Sequence, residues 1–418
     1  MTMPNGALVS PAAPQAGRGR AMAIRGFLCQ NIAIGCAFGG FGVTVLPLQD
    51  KFEVGRGVAT LGLALAVLTM SLFGPVVATL IGRFGLRATM LSGILLSALG
   101  YVALAFAPGI AIILAAYALP IGIGLAMFGN FPSSILAAGW FRHNPGPALG
   151  FVNTPLLVAL LPIASVSLIR DHGLVTFYLA MAAAHLLLLP FAWGIAEAPV
   201  PEEPSDEGPG PGIAHHPGPA DVSTREILRR PMFWVIAVGS GLLNAVGIFG
   251  VTHLVAFGIE RAVPPEQAAL LASIMGGASV AGSLAIGFIC AKVGAARALA
   301  LIALVMTTGW MVLFGTHVVV LMGLVTLLVG AGGAGVYTAV NVLVGSAFGP
   351  RALPRTIALL GLCTLPLTFV LPPLAGTLHD AAGSYDPVVL AIVGCCMAVT
   401  ALFLLSARAS ARAVPMLG

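Results

Sequence analysis

The chain reads as an all-α membrane protein with twelve transmembrane helices arranged as two six-helix repeats. Three observations predict this. The composition is 59% hydrophobic and only 8% charged, with a mean hydropathy of +1.04, whereas a soluble globular chain carries about 25% charged residues. Apolar runs long enough to cross a bilayer, about 20 residues each, recur on both sides of a single long polar interruption at 198–230. The basic residues are also sorted. With the N-terminus inside and twelve spans, only Lys51, Arg56, Arg170 and Arg261 of the 19 fall outside and the other 15 fall inside. That bias fits the positive-inside rule and predicts both termini in the cytoplasm, at the cell inner membrane. A pI near 9.1 fits either a nucleic-acid or a membrane partner. The distribution of the charge selects membrane lipid and excludes nucleic acid.

Taken in order, residues 1–24 form a Pro/Ala/Gly tail with Arg18 and Arg20, too polar to be part of a span. The run after Arg25 is long enough to cross, and more spans follow, so a cleaved signal peptide is not expected. Spans are predicted at 26–46, 58–81, 88–106, 110–136, 147–169 and 175–195, which place a first bundle at 25–196. Gly122 and Gly124 allow close packing of span 4, and Pro155 and Pro162 kink span 5 and free carbonyls. The cytoplasmic linker at 197–230 is rich in Pro, Glu and Asp and cannot bury enough apolar surface to fold alone. At its end Ser223 and Glu226 have capping-box spacing, which predicts a short helix running into Pro231. His215 and His216 lack further ligands at helical spacing and read as a solvated loop.

The second bundle, 231–406, has spans at 233–257, 266–291, 298–314, 318–347, 356–378 and 387–405, followed by a cytoplasmic tail at 407–418. Gly330, Gly332, Gly333 and Gly335 predict tight packing of span 10, and Pro366, Pro372 and Pro373 predict a kinked span 11. The six cysteines lie in apolar runs or at a span end and read as packing residues, with neither a disulfide nor a metal, and no cofactor is called for.

The two bundles repeat each other. Phe41-Gly42-Val43-Thr44 in span 1 recurs as Phe249-Gly250-Val251-Thr252 in span 7, Arg83 and Gly85 match Lys292 and Gly294, and Asp171 matches Asp380. A near-constant offset at three places predicts parallel repeats with a substrate site between them near the midplane.

Two six-span halves with glycine- and arginine-rich turns after spans 2 and 8 resemble the major facilitator superfamily. The turn Gly82-Arg83-Phe84-Gly85-Leu86-Arg87 is similar to that superfamily's loop 2-3 signature, and with Lys292 and Gly294 it supplies candidate gating loops. Within the superfamily, the monocarboxylate-porter branch is resembled by Gly139-Trp140-Phe141, Arg230-Pro231-Met232-Phe233-Trp234, Val251-Thr252-His253-Leu254-Val255 and Asp380-Ala381-Ala382-Gly383-Ser384-Tyr385. The chain departs from the pattern where Gly82 and Ala291 replace acids of the loop signature and where Thr338 and Ser346 stand in place of an acid and an arginine in span 10. Recognition of a carboxylate by a buried arginine is therefore not carried over.

The resemblance implies that spans 1, 4, 7 and 10 line the cavity. The polar residues there are Gln30, Asn31, Tyr117, Asn130, Asn244, Tyr337 and Asn341, together with His253. A buried amide in lipid must face protein or water, so each serves either as an interhelical hydrogen bond or as a substrate contact. His253 is the titratable group singled out as proton-coupling candidate, near the outer end of span 7, with an ordinary pKa near 6.5 for the residue type. His185 lies in a helix expected at the periphery. The reading is a monomeric secondary transporter moving a small organic anion, a monocarboxylate by resemblance, with protons as coupling ion if coupling exists. A neutral metabolite or drug on the same fold is the alternative, favoured by the absence of charge inside spans. A membrane enzyme would need a cluster of acids, histidines or an activated nucleophile, which the sequence lacks, and a non-transporting sensor would carry a soluble signalling domain.

Overall fold

The computed structural model describes residues 13–141, 145–198, 223–349 and 352–413. Most of the predicted linker, including His215 and His216, lies outside the described residues, as do the extreme termini. Among the described residues ten apolar helical units are long enough to span a bilayer, one of them bent. Two of these units are double. Arg56–Ala105 breaks at Gly85 and Leu156–Trp193 breaks at Gly173, which resolves the twelve predicted spans.

Span 1 is Gly17–Phe52, spans 2 and 3 are the two parts of Arg56–Ala105, span 4 is Ile110–Trp140, and spans 5 and 6 divide Ala148–Trp193. Spans 7 to 12 are Pro231–Glu260, Pro265–Val293, Ala295–Gly315, Val319–Phe348, Leu353–Ala382 and Asp386–Ala413. The hairpins at the start of spans 3 and 9 depend on glycine. Gly85 and Gly294 adopt φ of 81° and 85°, a left-handed region in which a β-carbon is strained. The N-cap half of the predicted capping box forms: Ser223 Oγ accepts from Glu226 N at 3.2 Å and starts the helix Thr224–Arg229, while Glu226 Oε1 accepts from Arg230 at 2.8 Å.

Two hydrophobic cores result. One runs through spans 1 to 6 from Met22 to Ile195, and the other runs from Ile227 to Phe403 and borrows Val43 from span 1. The repeated tetrapeptides meet where spans 1 and 7 cross, with Gly42 against the Val251 carbonyl. Each threonine hydroxyl donates to the phenylalanine carbonyl three residues back, Thr44 to Phe41 at 2.8 Å and Thr252 to Phe249 at 3.2 Å. Spans 8 and 5 touch at Gly276 and Ala159, and spans 11 and 2 touch at Gly376 and Gly57. Only a residue without a side chain permits these approaches.

Span 1 is longer than expected and irregular, with a π-helical turn at Gly35–Gly39 and a 3-10 turn at Gly42–Thr44. Its glycines lie against the backbone of Leu157 and Val158 in span 5, and the helix deforms to keep that contact. Span 4 carries a π turn at Tyr117–Ile121 around Pro120 and a break at Gly129.

Candidate functional site

Between the halves lies a cavity of about 290 Å³. Spans 1, 2, 5, 7, 8 and 10 line it, through residues such as Phe38, Val67, Pro162, Val251, Met275 and Gly330. Span 4 contributes nothing, contrary to expectation. Its small residues draw it outward instead, Gly122 against Ala66 of span 2 and Gly124 against Ser97 of span 3.

No charged side chain lines the cavity among the described residues, and the polar side chains are Asn244, Ser279 and Tyr337. Ser279 Oγ donates to its own helix at Gly276 O over 2.6 Å. Tyr337 is 67% exposed in the middle of span 10 and is one of the residues lining the cavity. With the half-buried Asn244 of span 7 it presents hydrogen-bonding groups that no described residue satisfies.

The other expected site residues fall elsewhere. Asn31 is buried and satisfied: its Nδ2 donates to Phe27 O at 3.0 Å and Thr154 O at 2.9 Å, and its Oδ1 accepts from Leu157 N at 3.0 Å. It closes the backbone gap at Pro155, where a proline interrupts the start of span 5. Gln30 is buried and does not reach the cavity. Tyr117 is buried in the first core with its ring edge-on to Phe41, 5.3 Å between centroids. Asn130 and Asn341 are exposed on spans 4 and 10 outside the cavity lining.

His253 is not at a mouth. It is fully buried: Nε2–H donates to Pro372 O at 3.1 Å, Nδ1 accepts from the Tyr385 hydroxyl at 2.9 Å, and Phe249 stacks on the ring at 4.8 Å. Both nitrogens are matched for the neutral imidazole, and an added proton would face the Tyr385 oxygen in an apolar core. His253 therefore joins spans 7 and 11 and holds Tyr385 in place. In the turn after span 2, Gly82, Arg83 and Arg87 are exposed, as are Lys292 and Gly294 in the second copy. The acid missing from the first turn is supplied from elsewhere, by Glu197 beyond span 6, whose Oε1 accepts from Leu86 N at 2.7 Å at the start of span 3.

Sequence reading missed a polar clasp at the face opposite the chain ends. Arg56, at the start of span 2, places Nη1 3.2 Å from Glu260 Oε2 at the end of span 7. The Arg56 and Gly57 amides donate to Asp380 Oδ1 and Oδ2 at 3.0 and 3.2 Å. The guanidinium lies 5.0 Å over the Tyr385 ring and is held from span 1 by Gln49 Oε1 at 3.1 Å. A second link pairs Arg170 at the end of span 5 with Glu266 at the start of span 8. Asp171 beside it is kept below the usual carboxylate range by its hydrogen bond to Arg170. The hydrogen bonds and ion pairs described between the halves all lie at this face. The available signal was the cluster of opposite charges at the ends of spans 2, 7 and 11 away from the arginine-rich turns, together with the match of Asp380 to Asp171.

The sequence profile of the Major Facilitator Superfamily matches residues 27–365. Over 257 residues the chain is 26% identical to monocarboxylate transporter 6 of Homo sapiens, covering 56% of this chain and 49% of that protein. Over 266 residues it is 28% identical to monocarboxylate transporter 4 of Rattus norvegicus, covering 59% and 52%. The chain thus spans about half the length of the curated relatives it matches. Among solved structures it is similar in fold to a bacterial homologue of the human lysosomal transporter Spinster in an inward-facing and unoccupied conformation, with a TM-score of 0.70 at 14% identity over 96% of this chain and 98% of that one.

Proposed function

The chain belongs to the major facilitator superfamily, and we propose that it is a secondary transporter carrying a small monocarboxylic acid in its protonated, uncharged form by alternating access. The observation that carries this reading is a cavity between the two halves lined by apolar side chains and the amide and hydroxyl of Asn244 and Tyr337, with no cation among the described residues. An unpaired carboxylate buried there would cost several kcal/mol. Protonating an acid of ordinary pKa near 4.3 costs about 4 kcal/mol at pH 7 and under about 2 kcal/mol at pH 5.5. In mildly acidic medium the neutral acid is the cheaper occupant. Its carboxyl group can accept from Asn244 and exchange hydrogen bonds with Tyr337, while its chain packs on Val251 and Met275.

The substrate then carries its own proton, and transport is coupled to the proton gradient without a titrating residue inside a span. The family resemblance and the curated relatives support an acid over a sugar or drug. The arginine-rich face carrying the chain ends is assigned to the cytoplasm of the inner membrane, and the clasped face to the exterior. The working unit is a monomer, because both repeats that frame the cavity come from one chain.

The test is uptake by proteoliposomes, above that of protein-free liposomes, of a labelled panel: straight-chain monocarboxylates of two to eight carbons, a dicarboxylate, a hexose and a nucleoside. Saturable uptake of short monocarboxylates, inhibited by their uncharged amides and not by the dicarboxylate, is the expected result. Uptake restricted to the hexose or nucleoside would overturn the reading.

A further inference from the structure

The clasp at the face opposite the chain ends contains a histidine that the transport reading does not use. His379, at the end of span 11, is 92% buried, since only 8% of it is exposed. Its Nε2 lies 2.8 Å from Glu260 Oε2 and 2.8 Å from Arg56 Nη1. One nitrogen cannot serve both neighbours. With a proton it donates to Glu260 and meets the Arg56 N–H head-on; without one it accepts from Arg56 and turns its lone pair on the carboxylate. Nδ1 is buried without a hydrogen-bond partner, 3.5 Å from Asp380 Oδ1.

We propose that His379, with Glu260 and Asp380, is a proton-binding switch that opens the clasped face of the molecule when it takes up a proton.

The direction follows from which groups travel together. His379, Glu260 and Asp380 all belong to the second half, at the ends of spans 7 and 11. What they hold belongs to the first half: the Arg56 guanidinium and the amides that begin span 2. When the halves part at this face, the carboxylates stay with His379 and only the cation and the positive helix end leave. A proton on His379 gives Nδ1 a hydrogen to aim at Asp380 and lets Nε2 claim Glu260, which draws both acids away from the first half. It also sets a positive charge beside Arg56. A proton on Glu260 or Asp380 removes the anion that Arg56 or the span 2 amides require. Each proton bound therefore weakens the closed state and favours the open one.

The remaining groups around His379 do not reverse this. From the turn before span 12, Tyr385 lies 4.5 Å away ring to ring and contributes an uncharged hydroxyl that is engaged with His253. From span 1, Gln49 is neutral and fixes Arg56. Arg261, next to Glu260, is occupied by Phe314 O and Asp386. The Arg170–Glu266 link lies between spans 5 and 8.

The inference deepens the transport reading, since a face that opens on acidification would admit a protonated acid from the acidic side, yet its test needs no substrate. The full chain carries spin labels at Lys51→Cys and Ala381→Cys, both exposed at the clasped face and one in each half, with the six native cysteines replaced by alanine. Inter-label distances are measured by pulsed electron resonance in lipid nanodiscs from about pH 8 to about pH 5, a window centred on the ordinary histidine range. The parent is expected to shift from a short to a long distance as pH falls. In His379→Gln the opening should move to lower pH, because only the Glu260 and Asp380 carboxylates remain to take up the proton. In Arg56→Gln the long distance should dominate throughout. A distance independent of pH in the parent, opening on raising the pH, or an unchanged midpoint in His379→Gln would each overturn the proposal. If the distances behave as stated while no monocarboxylate is taken up, the switch stands and the substrate assignment falls.

Discussion

Asn244 and Tyr337 present the unsatisfied polar groups of the cavity, and a neutral hydrogen bond from either to a bound acid is worth about 1 kcal/mol net. Asn244→Leu and Tyr337→Phe should therefore raise the KM for a transported monocarboxylate about five- to tenfold each, with little change in expression or thermal stability. Concentration series in proteoliposomes check this, and an unchanged KM in both variants would remove the two residues from the site. Asn31 illustrates the opposite outcome for the same residue type. Two of its three hydrogen bonds go to the broken start of span 5 and the third to Phe27 O in its own helix, so its role is to hold two helices together. From sequence, Asn31 and Asn244 are both amides in lining helices. What separates them is the proline at 155, whose missing amide and bent approach create a partner for one of them.

At the scale of the helix, the spans and the repeat were legible because lipid leaves the backbone little choice: long apolar runs become helices, and basic turns mark one face. Gly85 and Gly294 were recognisable as turn glycines, and they take the same left-handed backbone in both halves. The departure of span 4 from the cavity was not legible. It depends on Gly122 and Gly124 finding Ala66 and Ser97, contacts between residues distant in sequence. His253 was misread for a similar reason: its position near a helix end gave no sign that Pro372 and Tyr385 would enclose it. The glycine pair of spans 2 and 11 gives the prediction at this scale. A β-carbon on Gly376 would lie 2.6 Å from Gly57 N, which backbone cannot yield without parting the helices. Gly376→Val should hold the clasped face open, so that spin labels at Lys51→Cys and Ala381→Cys read the long distance at about pH 8 as well as at about pH 5. A short distance at the higher pH would show that the two helices do not need this contact to close.

For the molecule as a whole, two pseudo-equivalent bundles are tied at one face by span 2 to spans 7 and 11 and by span 5 to span 8, and they enclose a cavity lined by no charged side chain among the described residues. Opening one face while closing the other then requires that these ties be made and broken, with no fixed charge of the described lining to be resolvated at each step. The central claim is that the acid crosses with its own proton and therefore without net charge. Initial uptake of a labelled short monocarboxylate into proteoliposomes, with a potassium diffusion potential set by valinomycin and the transmembrane pH difference varied independently, tests it most directly. The account predicts that the rate rises as the exterior is acidified and is unaffected by the sign or size of the membrane potential. A rate that follows the potential, or one indifferent to the pH difference, would contradict it.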